Sequence, residues 1–215
     1  MRAELGARHA ALTALHARAS GEDGMTIGPK QPGEKALVIG YGNPSRQDDG
    51  VGYHVVNALN GLLGRLSLTE DSDSPDGSEE AIKTLWLQQL VPELAEIVSA
   101  YDLAIFVDAH TGAYAKGEHK VRPYIREVAP AYQSSVVSHH LKPETLLALA
   151  RDLYGHFPPA VLISVRGYEF DFGSELSKRT QELADQAVGY IAKLLSLSAD
   201  HARACAQNHC DVRGC

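Results

Sequence analysis

Short apolar runs alternate along the chain with stretches in which apolar residues recur at helical spacing. The first run, Ala36–Ile39, is bounded by turn-forming residues, as is typical of a buried strand. From Val51 onward, apolar residues return every three to four positions, which predicts an amphipathic helix. Further strands are predicted at 84–90, 103–107, 119–128 and 160–165, and further helices at 92–100, from 143 and from 177.

This alternation of strands and helices predicts an α/β fold. We expect a single-domain three-layer sandwich, in which a mostly parallel, twisted sheet of about five strands has helices on both faces. Pro123 places the 119–128 strand at a sheet edge, and Ser177 is suited to cap the last helix. The helix from Pro143 is predicted to bury one face, made of Leu146, Leu147, Ala150 and Leu153.

Composition shifts divide the chain into a central domain and two flanking segments. We expect an N-terminal extension and linker at 1–34, the α/β domain at 35–197 and a Cys/His-containing, disordered tail at 198–215. Within the domain, the run EDSDSPDGSEE predicts an acidic loop insertion at 70–80. All cysteines lie in the tail, so the domain has no disulfide framework, which fits the cytoplasm. The Cys/His spacing of the tail matches no standard zinc module.

Charge and hydropathy exclude several classes of partner. The chain has 215 residues and a net charge of −7, without the basic surface that nucleic acid binding needs. No apolar run approaches the ~18 residues of a membrane span. The first residues lack the apolar core of a secretory signal. We therefore expect a cytoplasmic protein, a monomer, that binds neither nucleic acid nor membrane.

The stretch GYGNPSRQDDGVG, from Gly40 to Gly52, joins the first strand to the first helix. It is not a dinucleotide fingerprint, because Ser45 stands where the third glycine would be, and no P-loop is present. Asp48 and Asp49 would repel a pyrophosphate at the helix N-terminus, whereas a cation would be attracted there. The alternative is that both acids only complement the helix dipole.

This stretch closely resembles the nickel–iron hydrogenase maturation endopeptidases, which carry a strand, Gly-x-Gly-Asn, four variable residues, Asp-Asp/Glu and a helix. Three later segments resemble the family in the same order: LWLQQLVPEL at 85–94, IFVDA at 105–109 and SHHL at 138–141. The resemblance covers about residues 35–196.

The resemblance implies a site made of Asp49, Asp108 and His139, which would recognise a metal ion and carry out catalysis. Asp48 is assigned a supporting role, and His140 lies beside the site or faces solvent. Without the resemblance, Asp108 would be interpreted as a residue that stabilises the turn after it, and His139 as a surface histidine.

The resemblance further implies an endopeptidase that removes a C-terminal peptide from the hydrogenase large-subunit precursor after nickel insertion. The nickel would be supplied by the precursor and not be permanently bound. Two alternatives remain open: a checkpoint protein that binds the nickel-loaded precursor without cleaving it, and a small-molecule α/β enzyme that uses the same cleft. Arg166 is expected to pair with the local acids Glu169 and Asp171, not with a substrate carboxylate.

Overall fold

A five-stranded sheet organises the computed structural model, which describes residues 27–69, 80–112, 122–132 and 141–197. The strands are β1 (Ala36–Tyr41), β2 (Ile82–Leu87), β3 (Leu103–His110), β4 (Tyr124–Val128) and β5 (Ala160–Arg166). Their order across the sheet is β2-β1-β3-β5-β4. Four strands are parallel, and β4 runs antiparallel to β5 at the edge. The predicted α/β class and the edge position of the fourth strand are therefore confirmed.

Helices cover both faces of this sheet, as predicted. They are α1 (Val51–Leu62), α2 (Leu94–Ser99), α3 (Pro143–Tyr154) and α4 (Lys178–Leu194), and a 3₁₀ turn, Gln47–Gly50, precedes α1. Because side chains alternate along a strand, they contribute to two hydrophobic cores, one on each face of the sheet. One core lies under α1 and α4 and includes Val38 and Ile105. The other lies under α2 and α3 and includes Leu37 and Phe106.

Two glycines allow α1 to pack directly against β1. A Cβ atom on Gly40 would lie 2.2 Å from the carbonyl oxygen of Gly52, and one on Gly52 would lie 2.5 Å from the Tyr41 nitrogen. Neither position therefore tolerates a side chain. The close approach places the start of α1, and the acids just before it, beside the carboxyl end of β1.

The structure differs from the sequence predictions at several boundaries. Strand β2 starts and ends earlier than predicted, and α2 begins at Leu94 because Pro92 and Glu93 form a turn before it. Leu153 is 67% exposed and does not belong to the buried face of α3. It falls in the last turn of that helix, beyond the buried residues that end with Ala150.

The end of the predicted N-terminal extension packs on the domain. The Ile27 nitrogen donates to Glu127 Oε1 at 2.8 Å, and the Lys30 nitrogen donates to the Leu194 carbonyl at 2.6 Å. Residues 1–26, most of the acidic insertion, His139 and the tail after Leu197 lie outside the described residues. No helix in the described ranges combines the length and apolarity that a bilayer crossing requires.

Candidate active site

Asp49 lies in the turn between β1 and α1, with its carboxylate partly exposed. The Asn43 backbone N–H donates to Asp49 Oδ2 at 3.1 Å. Gly42 makes this arrangement possible: it has a φ of +125°, and a Cβ atom there would lie 2.0 Å from the Asp49 carbonyl oxygen. The glycine-rich turn therefore holds Asp49, a partly exposed residue, beside the carboxyl end of β1.

Asp108 lies near the end of β3, directly beside the end of β1. Gly40 pairs with Val107, so the next residues, Tyr41 and Asp108, are neighbours on one face of the sheet. The Tyr41 hydroxyl donates a hydrogen bond to the Asp108 carboxylate, and the Ala109 backbone N–H donates to Asp108 Oδ1 at 2.8 Å. Asp108 is thus fixed by two donors at the edge of the sheet where Asp49 lies.

Burial raises the pKa of Asp108 to about 7, against the two hydrogen bonds, which favour the ionised form. The negative charge of Asp49 adds to the rise, which shows that the two carboxylates are close enough to interact. Burial, together with the charge of Asp108, raises the pKa of Tyr41 far above its usual range, so its hydroxyl stays a donor. Asp108 can therefore exchange a proton near neutral pH.

The described residues provide two of the three predicted site residues. Within the described ranges, no group of three or more His, Cys, Asp or Glu side chains is placed to hold a metal ion. His139 lies outside these ranges, so its position remains a prediction. Leu141, the first described residue after His139, packs against the core under α2 and α3, as Tyr41 does.

Asp48, although adjacent to Asp49, has a different environment. It is fully buried, and all its recorded donors come from the segment that follows β5. The donors are the backbone N–H groups of Tyr168 (2.7 Å), Glu169 (2.9 Å) and Ser177 (2.7 Å) and the hydroxyls of Ser177 (2.8 Å) and Thr180 (2.7 Å). Burial opposes ionisation, but these hydrogen bonds, led by that of Tyr168, hold the pKa of Asp48 below its usual range. Asp48 therefore supports the site by fixing the loop after β5.

Backbone pairing joins the same two segments. The Gln47 nitrogen donates to the Gly173 carbonyl at 2.8 Å, and the Gly173 nitrogen donates to the Ser45 carbonyl at 3.0 Å. The loop at 167–177 therefore lies directly beside the turn that carries Asp49. Sequence analysis did not assign this loop to the site, since its attachment depends on contacts between residues more than 100 positions apart.

Arg166 does not form the expected ion pairs with Glu169 and Asp171. Glu169 instead accepts from the Gln47 side chain at 3.5 Å, and the backbone N–H of Asp171 donates to Gln47 Oε1 at 3.0 Å. The Arg166 guanidinium lies over the Tyr168 ring, 5.0 Å from its centroid. Gln47 thus takes the contacts that the sequence suggested for Arg166.

The raised pKa of Asp108 predicts a pH-dependent stability. The folded chain holds the Asp108 proton up to about pH 7, whereas the unfolded chain loses it near 3.8. This contribution to stability is therefore complete below about pH 3.8 and is lost as the pH rises through 7. One pKa unit corresponds to about 1.4 kcal/mol. Counting half of the pKa shift of Asp108 therefore gives a loss of about 2 kcal/mol in the free energy of unfolding.

Between pH 5 and pH 8, we expect the free energy of unfolding to fall much less in Asp108→Asn than in wild type. Urea unfolding at both pH values measures the difference. Asp102→Asn is the matched control, because Asp102 is an exposed acid just before the same strand. Equal pH dependence in wild type and Asp108→Asn would show that Asp108 has an ordinary pKa.

Comparison with known proteins identifies the fold. No protein-family model and no curated protein matches the sequence. Among solved structures, the NiFe hydrogenase maturation protease HycI from Thermococcus kodakarensis KOD1 has 23% identity and a TM-score of 0.54, over 77% of this chain and 95% of that one. The hydrogenase maturating endopeptidase HybD from E. coli has 20% identity and a TM-score of 0.55, over 77% and 94%. HybD from Thermococcus kodakarensis has 16% identity and a TM-score of 0.51, over 75% and 99%. The chain shares the fold of these proteins.

Proposed function

We propose that this chain is an endopeptidase that removes a C-terminal peptide from a nickel–iron hydrogenase large-subunit precursor after nickel insertion. The observation that carries the proposal is that Asp49 and Asp108 lie on the same edge of the sheet, beside the carboxyl ends of β1 and β3. In open α/β sheets, this edge is where ligands bind. The shared fold with structures described as hydrogenase maturation proteases supports the same reaction class. The partner is then the precursor protein itself.

Nickel enters this proposal as part of the substrate. Carboxylate oxygens and imidazole nitrogen suit a borderline divalent ion, so Asp49, Asp108 and His139 would contact nickel already held by the precursor. A divalent ion in such a site polarises the scissile carbonyl or activates water.

The environment of Asp108 supports a second role in proton transfer. Before any contact with nickel, the Asp108 carboxyl has a pKa raised by burial to about 7, so it can exchange a proton near neutral pH. Tyr41 orients the carboxylate by donating to it and keeps the acid from becoming fully protonated at neutral pH. Tyr41 is therefore a positioning residue for Asp108.

The proposal predicts cleavage of nickel-loaded precursor and not of metal-free precursor. Incubation with the purified chain should release one C-terminal peptide from the nickel-loaded form only, as detected by intact-mass spectrometry. Precursor incubated alone is the control for self-cleavage. A stable complex without any mass change would support a checkpoint protein instead. If the chain neither cleaves nor binds the precursor, a small-molecule enzyme is favoured and the proposal is overturned.

A further inference from the structure

Two arginines come together beside the candidate active site. Arg166 is the last residue of β5, and Arg179 lies in the first turn of α4. Their guanidinium groups lie over the same aromatic ring, that of Tyr168, at 5.0 and 5.5 Å from its centroid. Cation–π contacts of this kind hold both positive charges around the same ring.

Among the described residues, neither guanidinium forms an ion pair with an acid. Within the described residues, other arginines form ion pairs: Arg65 with Glu80, Arg126 with Glu144 and Arg151 with Asp152. Arg166 Nε is buried and has no hydrogen-bond acceptor among the described residues. The carboxylate of Asp48, which lies close by, is already occupied by five donors. The described residues therefore leave two cations around one aromatic ring without a paired anion, in a chain whose net charge is −7.

Packing fixes Arg166 at the sheet edge that carries Asp108. A Cβ atom on Gly112 would lie 2.9 Å from Arg166 Cζ, so the guanidinium rests against the backbone just after β3. Arg166 pairs with His110, two residues beyond Asp108. From the spacing of strands and of residues along a strand, the Cα atoms of Arg166 and Asp108 are about 8 Å apart. The backbone positions of Arg166 and Asp108 are thus about two to three extended residues apart.

We propose that Arg166 and Arg179 bind a carboxylate of the substrate close to the scissile bond. This inference rests on the proposed function and adds the chemistry by which the peptide is positioned. A guanidinium fork matches a carboxylate in shape and charge, and an arginine held by packing loses little freedom on binding. The source of the carboxylate is either an aspartate or glutamate side chain or the terminal carboxylate of the precursor.

Steady-state cleavage of nickel-loaded precursor tests the proposal. We expect Arg166→Gln and Arg179→Gln each to raise KM about tenfold with kcat within threefold, because they remove binding and not chemistry. Lys178→Gln is the matched control, since it removes an exposed positive charge next to Arg179 and should leave both constants unchanged. Arg166→Lys keeps the charge but not the fork, so it should recover only part of the loss. Thermal melting of each variant checks that the fold is intact.

Altered precursors identify the source of the carboxylate. One has the acidic side chains near the scissile bond changed to amides, and the other has an amidated C-terminus. With the precursor that lacks the bound carboxylate, the KM of wild type should rise. The KM of Arg166→Gln, which has already lost this contact, should rise no further. If wild type cleaves and neither the arginine substitutions nor the altered precursors change KM, the carboxylate site is wrong while the proposed function stands.

A binding measurement separates failure of the site from failure of the function. The probe is a synthetic peptide of the precursor's C-terminal segment, titrated into the chain while the arginine Nε–Hε resonances are followed by NMR. We expect saturable shifts for Arg166 and Arg179 and none for Arg151, which is paired with Asp152. These shifts without cleavage by wild type would support the site and overturn the proposed function. If the peptide shifts the Nε–Hε resonances of neither Arg166 nor Arg179, the proposed carboxylate site is wrong.

Discussion

Asp49→Asn should reduce cleavage of the nickel-loaded precursor at least about 100-fold while leaving the fold intact. The Asp49 side chain is partly exposed, and an asparagine oxygen can still accept from the Asn43 N–H. The free energy of unfolding should therefore change by about 0.5 kcal/mol or less. The substitution removes the negative charge that is proposed to contact the metal.

The rate is measured under single-turnover conditions, with unfolding in urea as the measure of stability. Gln47→Glu, in the same 3₁₀ turn, is an unsuitable control because Gln47 bonds to the loop after β5. Ser45→Ala is better, because Ser45 forms its hydrogen bonds to Asn43 and Gly173 through its backbone. A folded Asp49→Asn variant that cleaves at the wild-type rate would exclude Asp49 from the reaction.

Asp48→Asn should have the opposite phenotype, a loss of about 3 kcal/mol or more in the free energy of unfolding. An amide at this buried position would direct N–H groups at donors of Tyr168, Ser177 or Thr180 and would lose the charge that strengthens every hydrogen bond. The loop after β5 would lose its main attachment. Urea unfolding of Asp48→Asn and Asp49→Asn compares two adjacent acids that differ in burial.

The acid limb of stability gives an independent check on Asp48. Its folded pKa lies below the value of 3.8 expected for a free carboxyl. Its contribution is therefore complete above about pH 3.8 and is lost as the pH falls through the folded pKa. Asp48→Asn should flatten this limb. Equal stability of wild type and Asp48→Asn at pH 7 would contradict the structural role.

The strand–turn–helix unit that begins at Ala36 could be predicted from sequence because its signals are local. A short apolar run, glycines and a helical repeat each report on neighbouring residues. The helix cap at Ser177 was predictable for the same reason, and its side chain accepts from the Thr180 nitrogen at 3.4 Å. Gly40 and Gly52 stand out in the sequence. Their packing role, however, could not be inferred without knowing the position of α1 against the sheet.

The distinct roles of Asp48 and Asp49 could not be derived from the residues alone. Both follow the same turn, and only the resemblance to a family separated them. The donors to Asp48 come from positions 168–180, which reach it only through the pairing of β3 with β5. Tyr41 is a similar case, since its hydrogen bond to Asp108 depends on the register between β1 and β3. Long-range register is not encoded in any local pattern.

The central claim is that the edge carrying Asp49 and Asp108 recognises nickel held by the precursor. Its most direct test is the ratio of cleavage rates for nickel-loaded and metal-free precursor, measured for wild type and for Asp49→Asn. We expect a ratio of at least about 100 for wild type, because contact with the ion is required for the reaction, and a ratio near 1 for Asp49→Asn. Equal cleavage of both precursors by wild type, or an unchanged ratio in Asp49→Asn, would contradict the claim.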